Sequence, residues 1–121
     1  MSAKAPWPVE LRLSSSKDTL TVAFDTGEKF DLAAEYLRVE SPSAEVQGHS
    51  PVEKKTVPGK RAVTIASIEP VGNYAVRIDF SDGHNTGFYS WETLLKLGRG
   101  HGRIWAEYLA ALEAQGLSRE G

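Results

Sequence analysis

Residues 74–80 read Tyr-Ala-Val-Arg-Ile-Asp-Phe, so Tyr74, Val76, Ile78 and Phe80 stand against Arg77 and Asp79. Alternation at period two sends successive side chains to opposite faces of a strand, and only a sheet with one buried face satisfies it. Asp82-Gly83 follows at once, the pair typical of a two-residue hairpin turn. The returning strand is expected over residues 85–89. On the other side, Val63, Thr64, Ile65 and Ile68 predict a strand over residues 62–68, with Pro70, Gly72 and Asn73 as its turn.

The first third of the chain repeats the pattern. Val9, Leu11 and Leu13 share one face opposite Glu10 and Arg12, and Leu20, Val22 and Phe24 share another. Asp25-Thr26-Gly27 closes a hairpin onto a strand at residues 29–32, and a short helical turn is expected over residues 33–39. The pattern then stops. From 40 to 60 the apolar residues are Ala44, Val46, Val52 and Val57 among three prolines and two glycines, which predicts a long loop without a buried face. Two helices are expected at the end. Ser90 caps the first, Glu92 suits its first turn, Leu94, Leu95 and Leu97 form its apolar side, and Gly98 stops it. The second is expected over residues 103–115, with Ile104, Trp105, Tyr108, Leu109 and Leu112 on one stripe and Gly116 at its end. Strands first and helices last predict an α+β fold: an antiparallel sheet of hairpins packed by a short helix and two C-terminal helices. One domain over residues 1–121 is expected, with its core at about 7–116.

The chain has 121 residues and no cysteine, which excludes disulfides, thiolate zinc, cysteine-ligated clusters and cysteine nucleophiles. Residues 1–8 have no apolar core, so no signal peptide is expected, and no run approaches the roughly 20 apolar residues of a membrane helix. A cytoplasmic protein with no membrane partner is the expectation. The net charge of −2 makes attraction to phosphate weak, and no nucleic acid is expected. Two local basic clusters, Lys54, Lys55, Lys60 and Arg61, and Arg99 with Arg103, read as solvated surface.

Candidates for chemistry are few. His49, His84 and His101 are the neutral-pH acid–base or metal candidates. His84 follows a tight turn and is expected at an exposed tip or in a local hydrogen bond. Asp82-Gly-His84 resembles part of a two-histidine, one-carboxylate iron site, but no spacing supplies the second histidine. Gly98-Arg-Gly-His-Gly102 lacks the Lys-Ser/Thr of a phosphate loop and reads as a link between helices. Ser67 and Ser90 stand in no nucleophile motif. Phe88, Trp91, Trp105 and Tyr108 read as core.

Three stretches carry a resemblance: Ala34-Glu-Tyr-Leu-Arg-Val-Glu-Ser-Pro-Ser-Ala-Glu45 with Gly48-His49, Ile68-Glu-Pro-Val-Gly-Asn-Tyr-Ala-Val76, and Asp82-Gly-His-Asn-Thr-Gly-Phe-Tyr-Ser-Trp91. In this order, from about Trp7 to Gly116, the chain resembles the DUF971 family, also called the γ-butyrobetaine hydroxylase-like N-terminal domain, in its stand-alone bacterial form. The resemblance implies a domain that is not the catalytic part. In that family it precedes the catalytic domain of iron and 2-oxoglutarate dioxygenases or is attached to Mrp-type iron–sulfur carrier ATPases. In the hydroxylases it holds zinc through a Cys-x-Cys-x-x-Cys segment and a histidine. Those positions fall here on Ser41, Ser43, Val46 and His84, so the thiolates are missing and no metal or cofactor is expected.

The function expected is therefore a non-catalytic accessory module that binds a protein, with an iron–sulfur carrier or an oxygenase as the partner class. Its surface is expected to include Tyr36, Arg38, Glu45, His49, Asn73, Asp82 and His84. The alternative is a metal-binding protein holding zinc or iron through His84. A small enzyme is the third reading.

Overall fold

The computed structural model describes residues 5–120; residues 1–4 and 121, the ends of the expected domain, lie outside the described residues. Strands β1 (Pro8–Leu13), β2 (Thr19–Phe24) and β3 (Lys29–Ala33) form one antiparallel sheet in that order. Helices α1 (Ala34–Val39) and α2 (Ala44–Gln47) follow, then a 3-10 turn at Pro51–Glu53. Strands β4 (Ile65–Val71), β5 (Ala75–Phe80) and β6 (Gly87–Ser90) form a second antiparallel sheet, and α3 (Trp91–Arg99) and α4 (His101–Ala114) close the chain. The fold is α+β, as the order of periodicities implies.

Both sheets feed one core. Leu20, Val22, Phe24 and Leu32 from the first meet Ile65, Val76, Ile78, Phe80 and Tyr89 from the second, with Leu37, Leu94, Leu97 and Ile104 from the helices. A smaller cluster of Val39, Tyr108 and Leu112 takes in Val57 and Trp105. Tyr36 and Tyr89 anchor α1 between these parts: the Tyr36 hydroxyl donates to the Leu97 carbonyl at 2.6 Å, and the Tyr89 hydroxyl to that of Leu37 at 2.5 Å.

Several expectations shift. Val9 stays 67% exposed, because β1 is an edge strand and its register slips between Pro8 and Glu10; only Leu13 packs against the core. β4 starts three residues later than expected and carries Pro70 inside it. An edge strand tolerates a residue without an N–H, so the turn falls at Gly72-Asn73 and leaves Tyr74 exposed. Phe88, expected in the core, is 53% exposed, on the face of β6 opposite buried Tyr89. Gly98 does not stop α3, which runs on to Arg99. A Cβ at Gly98 would lie 2.5 Å from the Phe30 ring, so this glycine serves helix–sheet packing. The break comes at Gly100, and α4 begins at His101, two residues ahead of the expected start.

The 40–60 segment departs most. Its first half is packed: Glu40, Ser41, Ser43 and Val46 are buried. Ser43 caps α2 by accepting the Glu45 N–H at 3.2 Å. Polar side chains with specific partners bury this stretch, which a count of apolar residues does not register.

Candidate functional site

The turn after β5 is wider than the two-residue form expected. The Gly83 N–H reaches the Phe80 carbonyl at 3.0 Å, and the Phe80 N–H reaches the His84 carbonyl at 2.9 Å. Gly83 has φ +89°, the left-handed position that closes a three-residue hairpin loop. β6 then begins only at Gly87, paired with Ile78. The residues between fold back over the 40–47 segment.

That fold-back buries His84. Its side chain is 3% exposed: of the expected placements, an exposed tip or a hydrogen bond, the tip is not found and the ring is hydrogen-bonded. Nε2 lies 2.8 Å from the Ser41 hydroxyl and Nδ1 3.5 Å from a Glu45 carboxylate oxygen. A neutral ring with its proton on Nδ1 satisfies both. The Asp82 carboxylate accepts the His84 backbone N–H at 3.1 Å. Burial, then the Arg38 charge, push the imidazole below its ordinary pKa, against the opposing pull of Glu45 and Asp82. Ser43 and Thr86 complete the cluster: their hydroxyls lie 2.8 Å apart, and Thr86 donates to Glu45 at 3.0 Å. Gly87 makes room for it, since a Cβ there would sit 2.6 Å from the Ser41 hydroxyl oxygen.

At the rim, Asp82 is held by two cations, Arg38 at 2.8 Å and Lys60 at 2.7 Å. Burial alone would raise its carboxyl, but Lys60, the His84 N–H and Arg38 outweigh it and hold the pKa at about 2. Arg38 Nη1 is buried and finds no partner among the described residues.

The expected surface is therefore only partly assembled. Arg38, Glu45, Asp82 and His84 come together. Tyr36 is buried in the core, 1% exposed, because its ring packs against His101 and Trp105. Asn73 lies at the other end of β5, where its carbonyl receives the Trp91 indole N–H at 3.0 Å. His49 is exposed, its backbone N–H bound to the Glu53 carboxylate at 3.0 Å. Lys60, Ser41, Ser43 and Thr86 are the residues that sequence reasoning left out of the site. Lys60 was visible only as one of a basic cluster, Ser41 and Ser43 only as lost ligand positions, and Thr86 only as a member of the stretch around Asp82–His84 that carries the resemblance. The basic clusters are largely neutralised: Lys54 pairs with Glu40, Arg61 with Glu120, Arg99 with Glu28 and Arg103 with Glu107.

Ser41, His84 and Glu45 stand in the order of a nucleophile, base and acid. Catalysis by such a set needs a nucleophile that a substrate reaches, and Ser41 is 0% exposed, closed in by Gly87 and Tyr89. Zinc does not fit either. The Ser41 and Ser43 hydroxyls are engaged in hydrogen bonds, and buried Val46 offers no donor. Among the described residues, no group of three His, Cys, Asp or Glu side chains is placed to hold a metal ion. No helix among them is long and apolar enough to cross a membrane.

The architecture defines a small α+β domain in which a buried serine–histidine cluster joins a hairpin tip to the segment after α1. Residues 11–95 match the family described as γ-butyrobetaine hydroxylase-like, N-terminal. The chain belongs to that family. Two proteins solved in solution by NMR are similar: one is 40% identical, covering 97% of this chain and 92% of its own with a TM-score of 0.82. The other is 44% identical, covering 98% and 90% with a TM-score of 0.81. A crystal structure from Acidithiobacillus ferrooxidans, of a protein of unknown function in the DUF971 family, is 38% identical over 75% of this chain and 91% of its own, with a TM-score of 0.62. No curated protein matches the chain.

Proposed function

We propose that the chain is a non-catalytic accessory module that docks on a protein through the face around the Asp82 turn. The observation that carries this reading is the closure of the Ser41–His84 pair, which removes this nucleophile–base arrangement from solvent while leaving the Glu45 side chain 65% exposed beside it. The cluster then acts as a brace. It fixes α2 against the 81–86 loop, so that Glu45, Asp82 and Lys60 present a rigid pattern of charge. Rigid charge patterns select partners and set their orientation. An iron–sulfur carrier or an oxygenase is the partner class, by analogy with the assemblies in which relatives of this domain occur.

The test is affinity capture from native lysate with the whole chain and with Glu45→Lys, identified by mass spectrometry. An iron–sulfur carrier or oxygenase retained by wild type and lost with the variant supports the reading. Identical sets from both proteins would overturn the assigned face, and hydrolase activity that vanishes with Ser41→Ala would overturn the non-catalytic role.

A further inference from the structure

A cleft of about 350 Å³, whose lining does not include His84, lies between the 40–47 segment, α3 and α4. Volumes near this value mark the lower end of small-molecule sites. Leu97, Ile104 and Pro42 supply its apolar part, and three cations from three separate elements reach it: Lys54, Lys96 on α3 and Arg103 on α4. Two carboxylates also line it, and both are occupied. Glu40 is turned inward and bound to Lys54 at 2.6 Å, and Glu107 is held by Arg103 at 3.2 Å.

Among the described residues Lys96 has no acidic partner, and Arg103 engages Glu107 through Nη1 alone, leaving Nη2 and Nε free. Thr93 accepts the Ser90 hydroxyl at 2.9 Å, which leaves its own O–H to donate. The side-chain nitrogen of Gln47 is tied to the Ser41 carbonyl at 2.8 Å. The cleft is thus rich in donors and carries one net positive charge on a chain whose net charge is −2. An arginine fork and a lysine lining one cleft suit the planar, two-oxygen geometry of a carboxylate or the oxygens of a phosphate.

From this we infer that the cleft is a binding site for a small oxyanion-bearing molecule, held by Lys96 and Arg103 with Thr93 as a further donor. The site is separate from the His84 cluster and does not depend on the docking role proposed above.

The experiment is an amide NMR titration of the whole chain at pH 7 with malonate in one arm and inorganic phosphate in the other, against sodium chloride at matched ionic strength. Saturable shifts are expected at Gln47, Thr93, Lys96, Leu97, Arg103 and Ile104 in at least one arm, and the arm that saturates says which oxyanion the site takes. Affinity should fall at least tenfold in Lys96→Ala and in Arg103→Ala, recover in Lys96→Arg, and stay unchanged in Arg12→Ala. Lys96 and Arg103 are exposed, so the variants keep the fold; unchanged spectra away from the cleft verify it. Shifts that grow linearly, that sodium chloride reproduces, or that persist in Lys96→Ala would overturn the site.

Discussion

Burial and the Arg38 guanidinium favour the neutral His84 ring, so its pKa in the folded chain lies below the ordinary 6.5. The unfolded chain then binds the proton more readily between those two values. The stabilisation is complete above about pH 6.5 and is lost as pH falls toward the folded pKa. The urea midpoint of the wild type should drop between pH 7.5 and 5, and that of His84→Gln should drop less. Asp82, held at about 2, titrates well below this window. Equal slopes for the two proteins would refute the assignment. An exposed histidine truncated to alanine would cost within about 1 kcal/mol, but this one leaves the Ser41 hydroxyl without its ring partner in a closed site. The expected cost of His84→Ala is about 2 kcal/mol, read from denaturant melts. The same site makes a metal prediction. Wild-type melting should be indifferent to chelators, whereas the triple variant Ser41→Cys, Ser43→Cys, Val46→Cys should bind zinc tightly with His84 and melt lower without it. Calorimetry showing tight one-to-one zinc binding by the wild type, lost in His84→Ala, would reverse this conclusion.

At the scale of elements, the strongly periodic stretches were legible and the polar ones were not. Leu20, Val22, Phe24, Val76, Ile78 and Phe80 turned inward as their alternation required, and Ser90 capped α3 through the Thr93 N–H. Alternation could not say that β1 and β4 lie at sheet edges, and that is why Val9 and the bounds of β4 were misread. The buried half of the 40–60 segment was invisible for another reason. Its burial rests on Ser41, Ser43 and Glu40, whose partners His84, Thr86 and Lys54 lie 14 to 43 residues away. Hydrogen exchange should separate the halves. The Val46, Gln47 and Gly48 amides, bonded to Ser43 and Ala44 carbonyls, should be protected, while Val52, which is 93% exposed, marks the fast-exchanging stretch. Trypsin should cut first at Lys54 or Lys55. Uniformly fast exchange across both halves would remove the brace on which the docking face depends. The inward residues of the site share this difficulty: the resemblance marked the position of His84, but not its burial.

Across the whole molecule, the C-terminal tail ties distant parts together, although the expected core ended at Gly116. The Ser118 carbonyl accepts the Gly59 N–H at 2.9 Å, and the Arg119 carbonyl accepts the Arg61 N–H at 3.1 Å, which fastens only the end of the 40–60 segment, beyond its fast-exchanging stretch at Val52. Arg119 grips Glu35 of α1 through two hydrogen bonds of 2.6 and 2.8 Å and lies 5.3 Å from the centre of the Trp105 ring. The Glu35 side chain is only 7% exposed, so losing Arg119 would leave a carboxylate nearly buried without its partner. Removing one member of a buried pair typically costs about 3–5 kcal/mol. Arg119 is a third exposed and screened by water, which lowers the expectation for Arg119→Ala to about 2 kcal/mol. Replacing Glu35 by glutamine in the same chain removes the stranded charge and should recover a large part of that loss. Denaturant melts of wild type, both single variants and the double variant form a complete cycle. A coupling near zero would mean that the tail rests on the surface and that the domain is stable without it. A coupling of 1 kcal/mol or more would establish the tail as the clasp joining α1, α4 and the long segment.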